Sequence, residues 1–417
     1  MWHNGTQMHY RVIITIMTVL AVVSPQLAAD DWPWFLGPTH DSVSAETNLM
    51  ARWPAEGPRV LWKATVGLSY SSPSIVKGHA FVFHRLGAEE VLDCLDAVTG
   101  VQKWRASYAT AYKDRYGYNN GPRSPPVVVD GRVYTFGAEG RFSCFDTETG
   151  KQVWQRQLNE EYKVEQNFFG VGGSPLLEGK LLLVNVGGSP DAGIVALDKD
   201  TGATVWKVTT EGASYATPLC ASIGGQRYAF VFARGGLVCL EPATGKVFWQ
   251  FPFRSKLYES VNAASPVVIG DQVFVTASYN TGGALLRVRK DGGEVIWRDP
   301  VMSCHWATPI HRDGCIYSFN GRHEHGTTLR CVEWATGKLM RDQPDLGRGS
   351  MIYVDGRFII LSERGRLILA NLRPDKFEEL SSVQLLGYPC WIAPVLANGL
   401  LYIRNESQLL CLDLRAK

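Results

Sequence analysis

Short apolar runs alternate with turn chemistry along most of this chain. Residues 124–154, SPPVVVDGRVYTFGAEGRFSCFDTETGKQVW, show the unit. Val127–Val129 is an apolar run, Asp130-Gly131 a turn dipeptide and Val133–Phe136 a second β-rich run. Ala138–Gly140 turns again, Arg141–Phe145 alternates, and Thr149-Gly150 leads into Val153-Trp154. Four short β runs separated by turn residues predict an antiparallel four-stranded sheet. Glycine at the last turn supplies the positive φ that a tight turn needs. Asp146 and Thr149 can hydrogen-bond the turn backbone.

The end of this unit recurs as LDAVTGVQKW (95–104), FDTETGKQVW (145–154), LDKDTGATVW (197–206), LEPATGKVFW (240–249) and VRKDGGEVIW (288–297). A sixth copy, VEWATGKLMR (332–341), has Arg341 in place of tryptophan. Such a period marks a propeller array with one small sheet per repeat. Tryptophan on the outermost strand offers a large apolar face to wedge between neighbouring blades and an indole N–H to anchor it. Eight blade starts follow one pattern: SSPSIV (71–76), RSPPVV (123–128), GSPLLE (173–178), ATPLCA (216–221), ASPVVI (264–269), ATPIHR (307–312), GSMIYV (349–354) and IAPVLA (392–397). The seventh repeat has lost Thr-Gly and Trp in ILANLRPDKFEEL (368–380). The last, LLYIRNESQLLCLDLRAK (400–417), stops after its third strand. GPRVLWKATV (57–66), with Trp62 in the expected place, can supply the fourth and close the ring, removing two open edges. The expected fold is therefore all-β: an eight-bladed β-propeller of four-stranded antiparallel blades over 57–417, closed by an N-terminal strand. A seven-bladed ring with the seventh repeat as irregular linker is the alternative.

Residues 1–29 read as a leader. Val12–Val23 is a twelve-residue apolar run preceded by Arg11 and followed by Ser24-Pro25-Gln26-Leu27-Ala28-Ala29. This resembles a secretory signal peptide cleaved near Ala28 or Ala29, and the run is short for a membrane span. The expectation is a periplasmic or secreted protein with no transmembrane anchor in the mature chain, and with 30–56 as an extension ahead of the propeller. A formal charge of +2, from 42 basic and 40 acidic residues, offers no basic stripe for nucleic acid. Export permits disulfides. Yet Cys94, Cys144, Cys239, Cys331 and Cys411 occupy one repeat position, as small buried hydrophobes would. Equivalent positions in adjacent blades lie about 10 Å apart, beyond the ~7 Å Cα limit of a disulfide. The state of Cys220, Cys304, Cys315 and Cys390 stays open.

The phrase L-D-x-x-T-G-x-x-x-W resembles the tryptophan-docking motif of pyrroloquinoline-quinone-type (PQQ-like) propellers, over essentially the whole mature chain. DWPWFLGP (31–38) is similar to the opening of exported quinone-repeat proteins of environmental bacteria. The resemblance implies one of two activities. BamB-like assembly proteins carry these repeats without a quinone. Quinone-dependent alcohol and sugar dehydrogenases hold PQQ between a Trp and a disulfide of adjacent cysteines. They bind calcium through acidic and amide side chains beside a catalytic Asp. This chain has no Cys-Cys pair, and its blade-opening segments are poor in Asp and Glu. The leading expectation is a non-catalytic binding or assembly scaffold without cofactor or metal, its partner a protein, carbohydrate or small molecule. A PQQ- and calcium-dependent dehydrogenase is the alternative.

The segments leading into the innermost strands should cluster at one mouth of the axial channel. The long ones, 107–123, 159–173 and 253–264, carry Tyr112, Tyr116, Tyr118, Tyr162, Phe168, Phe169 and Tyr258. Shorter ones add Tyr70, Tyr215, Trp306, Tyr388 and Trp391. Asn119, Asn120 and Asn262 and the basic side chains Arg123, His305 and Arg348 complete the set. Positions that differ between repeats are free to serve a ligand. The expected site is thus Asn120, Arg123, Tyr215, His305, Trp306, Arg348 and Trp391, with Trp306 and Trp391 for stacking and Arg123 and Arg348 for anions. His323-Glu324-His325 could chelate a metal from one side of a strand. No third ligand is evident there, and the expected reading is a solvated turn.

Overall fold

Each repeat folds as predicted, because its inner runs are apolar on both faces and its last run alternates. The computed structural model describes Met1 and residues 31–165, 168–323 and 325–416. Residues 2–29 of the proposed leader and Glu324 of the His-Glu-His turn lie outside these residues. In the first blade, Ser74–Val76, His79–Leu86 and Glu89–Asp96 are largely buried, while Gln102–Ala109 alternates between exposed and half-buried. The inner three strands are sandwiched between neighbouring blades, and the outer strand is the one most exposed to water.

Eight four-stranded antiparallel sheets form an eight-bladed propeller. The seventh is complete. Gly349–Val354, Arg357–Ser362, Arg366–Leu372 and Phe377–Gln384 pair in order, so no linker interrupts the ring. The eighth combines Val395–Ala397, Leu400–Arg404 and Gln408–Asp413 with the N-terminal strand Arg59–Thr65. Trp62 stands opposite Cys411, as Trp104 stands opposite Cys94 and Trp154 opposite Cys144. The repeated cysteine is thus the cross-strand neighbour of the docking tryptophan. All nine cysteines are free thiols, and only Cys220 is less than fully buried.

The docking tryptophans join each blade to the next. Trp62 Nε1 donates to the Ala97 carbonyl, Trp104 to Thr147 at 2.9 Å, Trp154 to Lys199 at 3.1 Å and Trp206 to Pro242 at 3.0 Å. Trp249 and Trp297 do the same to Arg289 and Trp334. The glycine of Thr-Gly has a second reason beyond its positive φ. A Cβ on Gly150 would stand 2.6 Å from the Trp104 ring, and one on Gly202 2.8 Å from Trp154. The indole lies directly on the turn backbone of the next blade. Arg341 keeps the blade-to-blade contact by another route, donating to the Asp375 carbonyl at 3.1 Å. In the seventh blade Ser381 holds the tryptophan register, opposite Leu369. Its Oγ accepts the backbone N–H of buried Trp53, so the N-terminal extension covers the missing contact.

The blade-start Ser/Thr-Pro pairs link neighbouring blades near the axis. The N–H groups of Ser174, Thr217 and Ser265 donate in turn to the hydroxyls of Thr217, Ser265 and Thr308 at 3.0–3.1 Å. Each hydroxyl satisfies a buried amide of the preceding blade, which is why small hydroxyl residues recur there.

Candidate functional site

The segments leading into the innermost strands meet at one end of the axis and enclose a cavity of about 290 Å³. Tyr70, Arg123, Phe169, Tyr215, Val261, Trp306, Arg348 and Trp391 enter it from eight successive blades. Hairpin turns of the fifth and sixth blades add Tyr279, Arg322 and His323.

The far end of the channel is closed by the N-terminal extension. Trp32 and Ile75 exchange backbone hydrogen bonds, and the Pro33 carbonyl accepts from Val128, which anchors the segment on the first two blades. It then crosses to the seventh, where Ser42 and Ser44 bracket Tyr353 with backbone bonds at 2.9 Å. The crossing needs the sharp turn at Leu36-Gly37. Gly37 has φ +79°, and a Cβ there would meet the Trp32 ring at 3.0 Å. Phe35, Leu36 and Ser42 thereby line the cavity from the far end. The site is a blind cup with an apolar floor.

Its wall is an aromatic collar. Trp391 contacts Trp306 at 5.6 Å between centroids, Tyr70 at 5.3 Å and Tyr118 at 6.0 Å. His305 bridges Trp306 and Tyr279 at 5.4 and 5.5 Å. Phe169 continues the collar from Tyr118 to Tyr215, whose hydroxyl accepts the Phe169 N–H at 2.8 Å. Burial pushes the Tyr70 and Tyr215 phenols up, so both stay protonated.

The cations of the wall are held from behind. Arg123 reaches Asp114 at 2.5 Å, and its guanidinium lies 5.4 Å from the Tyr70 ring centroid. Arg348 pairs with Glu363, which is 1% exposed, and lies over Trp306 and Trp391 at 5.2 and 4.8 Å. Glu363 also accepts from the Trp391 indole at 3.1 Å, so one buried carboxylate fixes both a stacking ring and a cation. Arg322 lies over Tyr279 at 4.6 Å and touches His323 Nε2 at 2.9 Å. Among the described residues it has no carboxylate partner. Burial, with Arg322 and Arg348 nearby, lowers the His305 imidazole to about 3, so it is neutral at pH 7. No Asp, Glu, Asn or Gln stands on the cup wall among the described residues.

Of the seven expected site residues, Arg123, Tyr215, His305, Trp306, Arg348 and Trp391 line this one cavity. Asn120 does not, and this corrects the expectation. Its Oδ1 accepts the Asp114 N–H at 2.7 Å, because the long loop needs an internal partner for that amide. Asn119 and Asn262 are also used by loops, bonding Glu406 and the Ala233 carbonyl. Sequence reasoning missed the floor, the hairpin residues Tyr279 and Arg322, and the supports Asp114 and Glu363. Only the unusual turns SYNTGG and NGRHEHGTT carried a hint of the hairpin residues. His323 reaches the wall, but no group of three His, Cys, Asp or Glu suited to a metal occurs among the described residues.

A family model described as outer membrane protein assembly factor BamB matches residues 88–376. A comparison with curated proteins finds no match. Among solved structures, quinohemoprotein alcohol dehydrogenase from Comamonas testosteroni is similar with TM-score 0.69 at 13% identity, covering 93% of this chain and 81% of that one. BamB from Moraxella catarrhalis is similar with TM-score 0.59 at 14% identity, covering 86% and 98%. A europium-containing methanol dehydrogenase gives 0.68 at 12%, covering 90% of each. At these identities the likeness shows the shared propeller fold.

Proposed function

The chain belongs to the family of the outer membrane protein assembly factor BamB, and from that premise we propose that it is an exported, non-catalytic binding or assembly scaffold that seats its ligand in the cup. The observation that carries this reading is the cup itself, a wall to which all eight blades contribute and seven contribute aromatic rings, above an apolar floor. Concave, mostly apolar sites with a few fixed polar groups are what ligand binding requires. Export rests on the leader read in residues 1–29. Among the described residues no helix is long and apolar enough to cross a membrane.

The wall fits a calcium-quinone pair poorly. Calcium takes six to eight oxygen ligands, mostly carboxylates, carbonyls and amides. Here the carboxylates Asp114 and Glu363 are already engaged by Arg123 and Arg348. The side-chain oxygens on the wall are hydroxyls of Ser, Thr and Tyr. Cys390, beside Trp391, has no neighbouring cysteine with which to form a two-residue disulfide. No oxidative step is therefore derived for these residues.

The test is direct. Purified protein is incubated with PQQ and calcium, desalted, and examined by absorbance and native mass spectrometry. The expected result is no stoichiometric retention and no dye reduction with alcohols or aldoses. Calcium-dependent, one-to-one quinone binding with dye reduction would overturn the scaffold reading in favour of a dehydrogenase.

A further inference from the structure

The chemistry of the cup names its occupant more closely, on the premise that the cup binds a ligand at all. Arg322, Arg348 and Arg123 stand on its wall, and no acidic side chain does so among the described residues. Arg123 and Arg348 are each matched by a carboxylate behind them, which leaves Arg322 as the wall guanidinium without one among the described residues. A neutral, hydroxyl-rich ligand can use the wall's Ser, Thr and Tyr hydroxyls, but it leaves the Arg322 guanidinium without an anionic partner. An anion attached to an apolar body matches both the charge and the rings.

Shape adds a second constraint. Phe35 and Leu36 close the far end, so a chain cannot thread through the channel; it can only insert an end. Outside the cup the aromatics do not stop. Tyr258 contacts Phe168 at 5.8 Å, Phe168 contacts Tyr116 at 6.1 Å, and Tyr116 contacts Phe169 at 5.4 Å. Phe169 leads through Tyr118 to Trp391, and Trp391 to Tyr388 at 6.0 Å. Tyr258, Tyr118 and Tyr388 are 71%, 57% and 55% exposed. This track crosses the mouth from the loop before the fifth blade to the loop before the eighth. Exposed aromatics in a continuous line are characteristic of protein-binding surfaces.

We propose that the cup captures the C-terminal end of a partner polypeptide. The terminal carboxylate meets Arg322 and Arg348, the last side chain, apolar or aromatic, packs on the collar above Phe35 and Leu36, and the preceding residues lie along the aromatic track. Capture of a chain end by its carboxylate is an established recognition mode.

The experiment uses N-acetylated tetrapeptide pools with mixed first three positions and Phe, Leu or Ile last. Each pool is made as the free acid and as the C-terminal amide, and 3-phenylpropionate serves as the small-acid control. Binding to the full mature protein is followed by calorimetry and tryptophan fluorescence. The free acids should bind, and amidation should weaken binding by about tenfold or more. The Arg322→Gln variant should narrow the difference between acid and amide severalfold, Arg348 retaining the rest, with an unchanged melting temperature. Arg322→Lys, which keeps the charge, should recover part of the difference. Equal binding of acid and amide by the unaltered protein would sink the proposal while leaving the binding reading intact. Silence from every free-acid pool would sink it too. Phenylpropionate binding as tightly as the peptides would show that the cup serves a free small acid instead.

Discussion

At the scale of single residues, the cup is shaped by charges that are already spoken for. Glu363 holds Arg348 and the Trp391 indole, and Asp114 holds Arg123, so these side chains are ordered before any ligand arrives. Preorganisation of this kind lowers the ordering cost of binding. His305 is the titratable group on which it bears most. Burial, Arg322 and Arg348 all disfavour its charged form, with His323 adding to the same effect. Between about pH 3 and pH 6.5 the unfolded chain carries a proton on this imidazole that the folded chain lacks. Stability therefore rises with pH through that window and falls on acidification. His305→Phe removes this contribution. The variant is expected to lose stability at pH 7.5 through altered packing, and the gap to the unaltered protein should narrow by pH 4.5. Thermal melts of both proteins at the two pH values decide it; an identical gap at both would show that His305 does not titrate as described.

At the scale of elements, the blade-to-blade joint is the indole of one blade lying on the glycine turn of the next. Trp154→Ala removes a large aromatic from between blades and should cost about 3–5 kcal/mol. Arg341→Ala removes a partly exposed guanidinium whose blade-to-blade bond is one hydrogen bond to Asp375, worth about 1 kcal/mol. Chemical denaturation of both variants checks the ranking, and comparable losses would contradict the repeat alignment. These joints explain why the fold was legible. The docking tryptophan, its opposite cysteine, the Thr-Gly turn and the Ser/Thr-Pro start are local contacts repeated in register, so each repeat states the rule again. The seventh blade was the least legible part. Its outer strand lacks Thr-Gly and Trp, and its contact comes from Trp53, more than three hundred residues away in sequence. The cup was half legible for a similar reason. Position near the axis gathered six of its residues, but Asn120 was spent on its own loop, and Phe35 and Leu36 arrive through a long-range crossing that no repeat encodes.

At the scale of the whole molecule, the N-terminal segment does two separable jobs. Residues 59–65 complete the eighth blade, and residues 31–56 seal the channel and cover the seventh. Arg404 ties the closure together. It is fully buried and donates to the carbonyls of Asn405, Ser71 and Gly67, spanning from the eighth blade to the connection between closing strand and first blade. Burial works against its charge, the Glu406 carboxylate favours it, and the three carbonyls satisfy its N–H groups. Two truncations separate the jobs. A mature chain beginning at residue 57 keeps Trp62 and the closing strand but loses the floor and Trp53. It is expected to fold with reduced stability and to lose ligand retention in the cup. A chain beginning at residue 67 also loses the Trp62 indole from Ala97 and leaves Gln408–Asp413 as an unpaired edge. Loss of that tryptophan alone should cost a further ~3–5 kcal/mol, and an exposed apolar edge invites pairing with other chains. The second truncation should therefore melt well below the first and form aggregates on gel filtration. Indistinguishable melting and elution of the two would mean that the ring does not depend on its closing strand.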